Sequence, residues 1–352
     1  MGCKFPIVRD TLTGKILKQD EGRCYYKWDT TGTKNHAILT DDRYQLVPCR
    51  KCTECRLQYS REWATRCMCE SMTHKQSWFL TLTYDEEHVP GINKLTGEII
   101  RNGMYEVHDG EFIQVMTLEP TDITTFKESL DKKLRRAKKK PLRYYYCGEY
   151  GSTTFRPHYH MLAFGLELEE SDMELEFINN EHQPIYKCQW LEDLWGKGIV
   201  RIGAVTWNSA AYVARYIMKK QNGKEGERRK EIIGNIPEYV RMSLKPGIGA
   251  EYALMNREKI EALDKIILPG KKAKAVHTVK YFESLYDDLY EQEHGQDAAL
   301  IRKQERAKRN LELQRMKMET LQKKSTLDWW QQLRADHEAK ADAYKKLIRP
   351  LE

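Results

Sequence analysis

Two histidines, His158 and His160, lie one residue apart in the segment FRPHYHMLAFG at residues 155–165. The apolar residues after them predict a β-strand, in which residues i and i+2 point to one side, about 7 Å apart at the backbone. Two imidazoles placed in this way can bind one metal ion. A histidine pair of this kind also occurs by chance, so a purely structural role for both histidines stays open at this point.

A carboxylate on the preceding strand adds to this pair. The segment LRYYYCGEY at 142–150 predicts a strand that forms a hairpin with the histidine strand, and the hairpin returns Glu149 beside His158 or His160. Two imidazoles and one carboxylate are an incomplete ligand set for a divalent cation such as Mg²⁺ or Mn²⁺, with positions left for substrate oxygens. A cation held there can polarise a phosphate, and we expect it on the sheet face opposite the helices.

Two tyrosines follow on a predicted helix. In YVARYIMKK at 212–220, Tyr212 and Tyr216 share one helix face, and Lys219 and Lys220 continue it by one turn. A tyrosine hydroxyl can attack a phosphodiester when a metal withdraws charge from the phosphate, giving a 5′-phosphotyrosine and a free 3′-hydroxyl. A lysine one turn away would stabilise the developing charge. The alternative is that both tyrosines only pack in the core.

The elements that must position these residues are predicted from their periodicity. Residues 77–222 read as β, α, β, β, α, β, α, beginning with the alternating strand SWFLTLTY at 77–84. The helix after it begins at Thr121 or Asp122 as N-cap and is stopped by Pro141, and the tyrosine helix has Asn208 or Ser209 as N-cap. The first six elements predict an α+β fold, a split βαβ (ferredoxin-like) antiparallel sheet with helices on one face.

Three regions are predicted along the chain. They are an N-terminal β-rich cap with a cysteine cluster (1–76), a catalytic domain (77–252) and a helical C-terminal region (253–352). The last region is charged and almost free of Gly and Pro, and it carries an imperfect heptad seam at Leu300, Ala307, Leu311, Met318 and Leu321. Self-association through this seam is one interpretation that the pattern leaves open.

The charge is uneven, which suits a polyanionic partner. The chain carries a net charge of +7, and residues 127–143 alone hold nine basic and two acidic residues. A second run at 219–230 holds six basic and two acidic residues. Such runs are typical of nucleic-acid binding, with a solvated helix face as the alternative. The predicted DNA contacts are Arg135, Arg136, Lys138, Lys139, Lys140, Arg156 and Lys220.

Composition indicates where the protein acts. A charged fraction of 32% and a mean hydropathy of −0.73 predict a soluble protein, and no stretch approaches the roughly 20 apolar residues of a membrane span. The first residues lack an apolar core of signal-peptide length, so we expect no membrane partner and a cytoplasmic location.

Five of the nine cysteines fall between Cys49 and Cys69. Without an export signal, disulfides are not expected. Cys49, Cys52, Cys55 and Cys67 are candidates for a structural Zn²⁺ site, because C-x2-C is a zinc half-site that a later cysteine can close. The alternative is a set of buried thiols.

The three motifs occur in the order that is found in the HUH endonuclease superfamily, the rolling-circle replication initiators. FLTLTY resembles its first motif strand, RPHYHMLAFG its metal-binding His-hydrophobic-His motif, and YVARYIMKK its tyrosine motif. Within the superfamily, the chain most resembles the initiators of microviruses of the gokushovirus type, which share a VPCxxCxxCR opening and a PGIG segment. The resemblance runs from about Cys49 to Tyr252, and Tyr159 is a bulkier middle residue than usual.

The resemblance implies an activity. His158, His160 and Glu149 would bind the metal, and Tyr216 would attack first because Tyr216-x-x-Lys219 fits the single-tyrosine form of the motif, with Tyr212 as its partner. The substrate would be a single-stranded DNA origin, and the free 3′-hydroxyl would serve a host polymerase in the host cytoplasm. No Walker A motif is found, so a host helicase would supply any ATP-driven unwinding. Two alternatives are a non-catalytic nucleic-acid-binding or packaging protein, and a relaxase or transposase with the same chemistry.

Overall fold

A computed structural model describes residues 7–10, 44–50, 52–102, 106–108, 111–151, 154–215, 236–269 and 273–323. These residues form two compact units. One runs from Ser60 to Phe282, and the other combines the residues up to Tyr59 with those from Glu283 onwards. This grouping by contact does not decide the domain boundaries predicted from the sequence, which stay a prediction.

The strands are short and, wherever they pair, antiparallel. In chain order they are β1 (Ile7–Asp10), β2 (Tyr44–Val47), β3 (Ser77–Tyr84), β4 (Gly91–Asn93), β5 (Ile99–Ile100), β6 (Glu106–His108), β7 (Glu111–Met116), β8 (Arg143–Tyr150), β9 (Pro157–Phe164), β10 (Glu174–Ile178), β11 (Pro184–Lys187), β12 (Gly198–Ala204), β13 (Tyr239–Met242), β14 (Lys265–Leu268) and β15 (Lys274–His277).

The described helices range from six residues in α5 to 28 residues in α8. They are α1 (Thr53–Ser71), α2 (Pro120–Arg136), α3 (Gln189–Trp195), α4 (Trp207–Arg215), α5 (Ala250–Met255), α6 (Arg257–Leu263), α7 (Lys280–His294) and α8 (Gln296–Lys323).

The main sheet has seven strands in the order β10-β11-β12-β3-β9-β8-β13. Its central part, β12-β3-β9-β8, is built from the units β3-α2-β8 and β9-α3-β12, and all of its strand pairs are antiparallel. The predicted α+β class and its split βαβ core are therefore confirmed. Strands β10, β11 and β13 extend the sheet beyond this core, and β5-β4-β7-β6 form a separate four-stranded sheet inserted between β3 and α2.

Helices cover both faces of the main sheet, whereas the sequence predicts them on one. On the first face, apolar residues of β3 and β9 pack with Phe126 of α2 and Trp195 of α3. On the second face, Phe79 and Leu162 pack with Trp63 of α1 and the small residues of α4. This correction has a physical reason, because Phe79, Leu162 and Phe164 point away from α2 and also need cover from water.

The ends of α2 differ from the predicted ones. The helix begins at Pro120, and the Glu119 side chain caps it by accepting from the Thr121 N–H at 3.2 Å. The predicted cap residue Asp122 is instead buried and accepts from the Tyr84 hydroxyl at 2.8 Å. The helix ends at Arg136, before Pro141, because Lys138 takes a left-handed conformation with φ of 57°. Its neighbour Lys139 then closes the helix end through a bond from its N–H to the Leu134 carbonyl.

The terminal regions agree with the prediction in part. Strands β1 and β2 pair as part of the predicted β-rich cap, and α7 and α8 form the long C-terminal helices. The region after residue 252 also contains the hairpin β14-β15, which the predicted helical region lacks. On the heptad seam, Leu300 is 54% exposed, whereas the side chains of Met318 and Leu321 lie outside the described residues.

Candidate active site

The hairpin of β8 and β9 brings the predicted metal ligands together. Glu149 lies directly opposite His158 in the strand register, and both histidines point to the face that α1 and α4 cover. Nε2 of His158 lies 2.6 Å from Oε1 of Glu149, and Nε2 of His160 lies 3.4 Å from the same oxygen. One candidate ligand atom from each of the three residues lies within 4.8 Å of the others. The site therefore faces away from α2 and α3, as predicted, but it is not an open sheet face.

Both imidazoles are held by their other ring nitrogen. Nδ1 of His158 lies 3.1 Å from the Arg156 carbonyl oxygen, and Nδ1 of His160 lies 2.9 Å from the Thr81 hydroxyl. Such contacts fix the ring orientation and leave Nε2 of each histidine for a metal. Thr81 lies on β3 directly opposite His160, so the first motif strand orients the second motif.

The contact between His158 and Glu149 requires a positive charge. A carbonyl oxygen only accepts hydrogen bonds, so the bond to Arg156 needs a hydrogen on Nδ1 of His158. A neutral imidazole in that form presents a lone pair at Nε2 to the Glu149 carboxylate, which also only accepts. The pair is stable when a second proton makes the ring cationic, or when a metal cation binds both atoms.

The state of Glu149 agrees with a cation site. The residue is 2% exposed, and burial alone would raise the pKa of its carboxyl group. The charges of His158 and His160 and their hydrogen bonds outweigh burial and hold this pKa well below the usual value. Oε2 of Glu149 is buried and has no hydrogen-bond partner among the described residues. A carboxylate that stays ionised with an unused oxygen, beside two Nε2 atoms, fits a divalent cation.

Tyr212 completes the cluster from α4. Its hydroxyl donates to Oε1 of Glu149 at 3.2 Å, and its ring meets the His160 ring edge-on with centroids 5.1 Å apart. The helix begins at Trp207, and the Thr206 and Ser209 side chains each accept from the other residue's N–H. Ser209, one of the two predicted N-caps, thus lies inside the first turn, and Thr206 is the residue that caps the helix.

Three predicted site residues, Tyr216, Lys219 and Lys220, lie outside the described residues. Their proposed roles stay predictions. Tyr212 is therefore the tyrosine of the YVARYIMKK segment whose contacts with the candidate metal ligands are described.

The predicted DNA contacts fall at two places. Arg156 lies next to the candidate site, where its guanidinium donates to the Tyr84 carbonyl at 3.1 Å and to Glu86 at 2.7 Å. The basic run lies at the end of α2 and in the turn before Arg143, which begins β8. Glu149 follows six residues later, about 20 Å along the strand. The run is formed by Arg135, Arg136, Lys138, Lys139 and Lys140, and it lies at the opposite end of the sheet from the metal ligands.

The cysteine prediction is corrected at one residue. Cys49, Cys52 and Cys55 lie with their sulfur atoms within 4.8 Å of one another. Cys67 lies about three turns further along α1, where it is fully buried in an apolar cluster. Burial raises the pKa of the Cys67 thiol, which disfavours the thiolate that a metal needs.

Two contacts of the site were not predicted. Thr81 lies in the predicted strand SWFLTLTY, but nothing in the local sequence links it to His160, because the contact depends on the pairing of β3 with β9. Tyr159, between the histidines, points to the other face, where its hydroxyl donates to the Glu119 carbonyl at 2.8 Å. That bond ties the histidine strand to the start of α2, and it accounts for a tyrosine at this position.

Comparisons with known proteins agree with these observations. The family model "Replication-associated protein ORF2/G2P" matches residues 77–221. Replication-associated protein ORF2 of Spiroplasma virus 4 is 32% identical over 267 residues, which cover 75% of each chain. Replication-associated protein VP4 of Bdellovibrio phage phiMH2K is 30% identical over 248 residues, 70% of this chain and 68% of the relative.

A solved structure was also matched, the N-terminal nuclease domain of the non-structural protein 1 of minute virus of mice. The match covers 64% of this chain and 89% of the solved chain. At 12% identity and a TM-score of 0.21, this similarity is too low to support an inference. Among the described helices, none has the length and apolar character to cross a membrane.

Proposed function

We propose that this chain, which belongs to the replication-associated protein ORF2/G2P family, is a replication initiator endonuclease. It nicks single-stranded DNA at a replication origin by tyrosine transesterification. The observation that carries this proposal is the convergence of the Tyr212 hydroxyl and the Nε2 atoms of His158 and His160 on the Glu149 carboxylate. A nucleophile, two imidazoles and a carboxylate in contact are the groups that metal-assisted phosphoryl transfer requires.

His158, His160 and Glu149 would hold a divalent cation, Mg²⁺ or Mn²⁺. When bound, such a cation withdraws charge from the scissile phosphate. The protein fixes the direction of the ligand atoms, since Arg156 and Thr81 each engage the Nδ1 atom of one imidazole. The His158 side chain is 17% exposed, whereas those of His160 and Glu149 are nearly inaccessible, so we infer that the phosphate enters on the side of His158.

Tyr212 is the proposed nucleophile. A new bond joins its phenolic oxygen to phosphorus, the bond from phosphorus to the 3′ oxygen breaks, and the phenolic proton ends on that 3′ oxygen. The contacts of Tyr212 with Glu149 and His160 favour it as the first attacking residue, the reverse of the order expected from the motif. Tyr216 would then act in a second transfer, assisted by Lys219.

The test is covalent adduct formation on a single-stranded origin oligonucleotide with Mn²⁺ or Mg²⁺. We expect an adduct with the wild-type protein, its loss with EDTA and in Tyr212→Phe, and no change in the control Tyr186→Phe on β11. An adduct at the wild-type level in Tyr212→Phe but not in Tyr216→Phe would restore the order expected from the motif. Salt-sensitive DNA binding without an adduct under either ion would support the non-catalytic alternative instead.

The proposed partners follow from this reaction. The free 3′-hydroxyl would be extended by a host polymerase, and a host helicase would unwind the duplex, in the host cytoplasm. A relaxase or transposase would share the chemistry, and a preference for recombination ends over origin DNA in the same assay would support that alternative.

A further inference from the structure

Three cysteines converge where the chain enters α1. The Cys49 and Cys55 sulfur atoms lie 3.9 Å apart, and those of Cys49, Cys52 and Cys55 all lie within 4.8 Å of one another. Cys49 and Cys52 are buried, and Cys55 is half-buried in the first turn of the helix. No disulfide joins the described cysteines. The three sulfur atoms are therefore close enough to one another to share one ion.

We propose that Cys49, Cys52 and Cys55 bind a structural Zn²⁺ ion, at a site separate from the proposed catalytic metal. In a tetrahedral thiolate site, a Zn–S distance of about 2.3 Å gives sulfur atoms about 3.8 Å apart. The separation of 3.9 Å between Cys49 and Cys55 fits this geometry. The donor chemistry also differs from that of the histidine site, because thiolates select Zn²⁺ whereas imidazole and carboxylate also accept Mg²⁺ or Mn²⁺.

A backbone hydrogen bond supports the thiolate state. The Cys52 N–H donates to the Cys49 sulfur at 3.3 Å. Donation to a sulfur stabilises its negative charge and orients it toward a metal. Thiols that were buried only as small apolar groups would not require a donor aimed at a sulfur atom.

The coordination number and charge set the character of the site. Among the described residues, the group offers three of the four ligands that a tetrahedral structural zinc site takes. Three thiolates and one Zn²⁺ carry a net charge of −1, and Arg50 and Arg56 flank the cysteines in the sequence. The ion would fix the segment between β2 and the start of α1, where residues 48–50 and 52 belong to no helix or strand.

Cobalt substitution tests the site directly. Co²⁺ bound by thiolates shows a sulfur-to-metal charge-transfer absorption in the near ultraviolet, which a site of histidine and carboxylate does not produce. We expect this absorption in the wild-type protein, to saturate at one ion per chain. It should be lost in Cys49→Ser/Cys52→Ser. It should persist in His158→Ala/His160→Ala, which removes the other metal site. A matched control is Cys188→Ser, because Cys188 is the N-cap of α3 and serine is favoured there.

A second measurement needs no variant. In the wild-type protein under reducing conditions, zinc should slow alkylation of Cys49, Cys52 and Cys55 by about tenfold or more. Mass spectrometry of the digested protein would locate the protected thiols. An absent charge-transfer band, or equal alkylation with and without zinc, would overturn the proposal. The same holds if Cys49 and Cys55 are joined by a disulfide in the protein purified with reductant. None of these results depends on DNA cleavage, so the site can fail while the proposed function holds.

Discussion

At the scale of single residues, the candidate site depends on which ring nitrogen of each histidine contacts the protein and which is left for a metal. The Arg156 carbonyl holds Nδ1 of His158, and the Thr81 hydroxyl holds Nδ1 of His160. The first contact uses the backbone and cannot be removed by substitution, whereas the second uses one side chain. Thr81 therefore offers a way to disturb the orientation of His160 without removing a ligand.

We predict that Thr81→Val weakens metal binding without abolishing the reaction. Valine has nearly the same shape and the same preference for strands, but it lacks the hydroxyl that contacts Nδ1 of His160. Removing an outer hydrogen bond of this kind lowers metal affinity by about tenfold to a hundredfold. Direct Mn²⁺ titration should show this weaker affinity, and excess Mn²⁺ should restore the adduct yield. Thr83→Val, on the same strand face, is the control, and equal Mn²⁺ affinity in both variants would contradict the role of Thr81.

Much of the site could be predicted at this scale, and the reason is spacing. Spacing identified three candidates, because i, i+2 and i, i+4 spacing fixes which residues share a face: His158, His160 and Tyr212. Glu149 was identified because a short hairpin fixes which residues of its two strands lie opposite one another. Thr81 was not linked to His160, since their contact joins residues 79 positions apart. Local periodicity carries no information on the register of such a pair.

At the scale of elements, helix α1 binds a loop that lies outside the metal-ligand and tyrosine motifs. The segment PGIG at 246–249 is bound by α1, where Glu70 accepts from the Gly249 N–H at 2.6 Å and Arg66 donates to the Ile248 carbonyl at 3.0 Å. The Arg66 guanidinium lies between the Trp63 and Tyr281 rings, 3.9 Å from each centroid. Gly249 has a φ of 79°, and a Cβ there would lie 2.9 Å from the Arg66 carbonyl oxygen, so glycine is required.

We predict that Glu70 makes stability depend on acid pH. Burial alone would raise its pKa, but hydrogen bonds from His74, Arg143 and Gly249 lower it below the usual value. A carboxyl group with a lowered folded-state pKa stabilises the fold above its unfolded pKa of about 4.3, and this contribution is lost as the pH falls through the folded value. Glu70→Gln should lower the free energy of unfolding at pH 7 by about 2–4 kcal/mol, because Arg143 loses its buried partner.

Urea unfolding at a series of pH values measures this effect. The difference between wild type and Glu70→Gln should be largest near neutral pH and should shrink toward zero as the pH drops well below 4.3. Glu167→Gln is the control, since Glu167 also has a lowered pKa but its side chain is 36% exposed, and its pair with Lys139 contributes little. A difference that stays constant with pH would show that Glu70 acts through shape and not through charge.

Elements were predicted well where apolar residues recur with a regular period and poorly at the edges of the sheet. Strand β3 and helix α2 have strongly periodic apolar positions, and both were found. Strand β10 was missed because it is a five-residue edge strand with mostly exposed residues, and it contains two glutamates, a residue type that strands disfavour. The tyrosine helix was predicted, but not its position on a second face of the sheet, because no local sequence pattern indicates that Phe79 and Leu162 also need cover.

At the scale of the whole molecule, positive charge and the candidate nuclease site are separated. The basic run at the end of α2 precedes Arg143, and its Lys139 pairs at 3.1 Å with Glu167, which follows the end of β9. The metal ligands lie at the other ends of β8 and β9. A separation of about 20 Å corresponds to about six base pairs of duplex. The run can therefore contact only DNA that extends well beyond the nick.

We predict that the basic run contributes to the binding of long substrates and not to the reaction itself. Arg135→Ala/Arg136→Ala/Lys138→Ala/Lys140→Ala leaves Lys139 with its partner and removes four charges. On an origin flanked by about 15 base pairs of duplex, the salt slope of binding should fall by up to about 4, roughly one for each phosphate that the variant no longer neutralises. On an oligonucleotide with about three nucleotides on each side of the nick, adduct formation should be unchanged.

Lys308→Ala/Arg309→Ala on α8 is the control for removal of charge as such, because it removes two basic residues that are not part of the basic run. A general effect of the protein's electric field would weaken the binding of both substrates in proportion to the charge removed. Such an effect would therefore appear in the control variant as well. Equally weakened binding of the short and long substrates in the quadruple variant would mean that the run acts at the nick or through the general field. Weakened binding of the long substrate alone would mean that the protein holds origin DNA at two points, a cation site at one end of the sheet and a basic turn at the other.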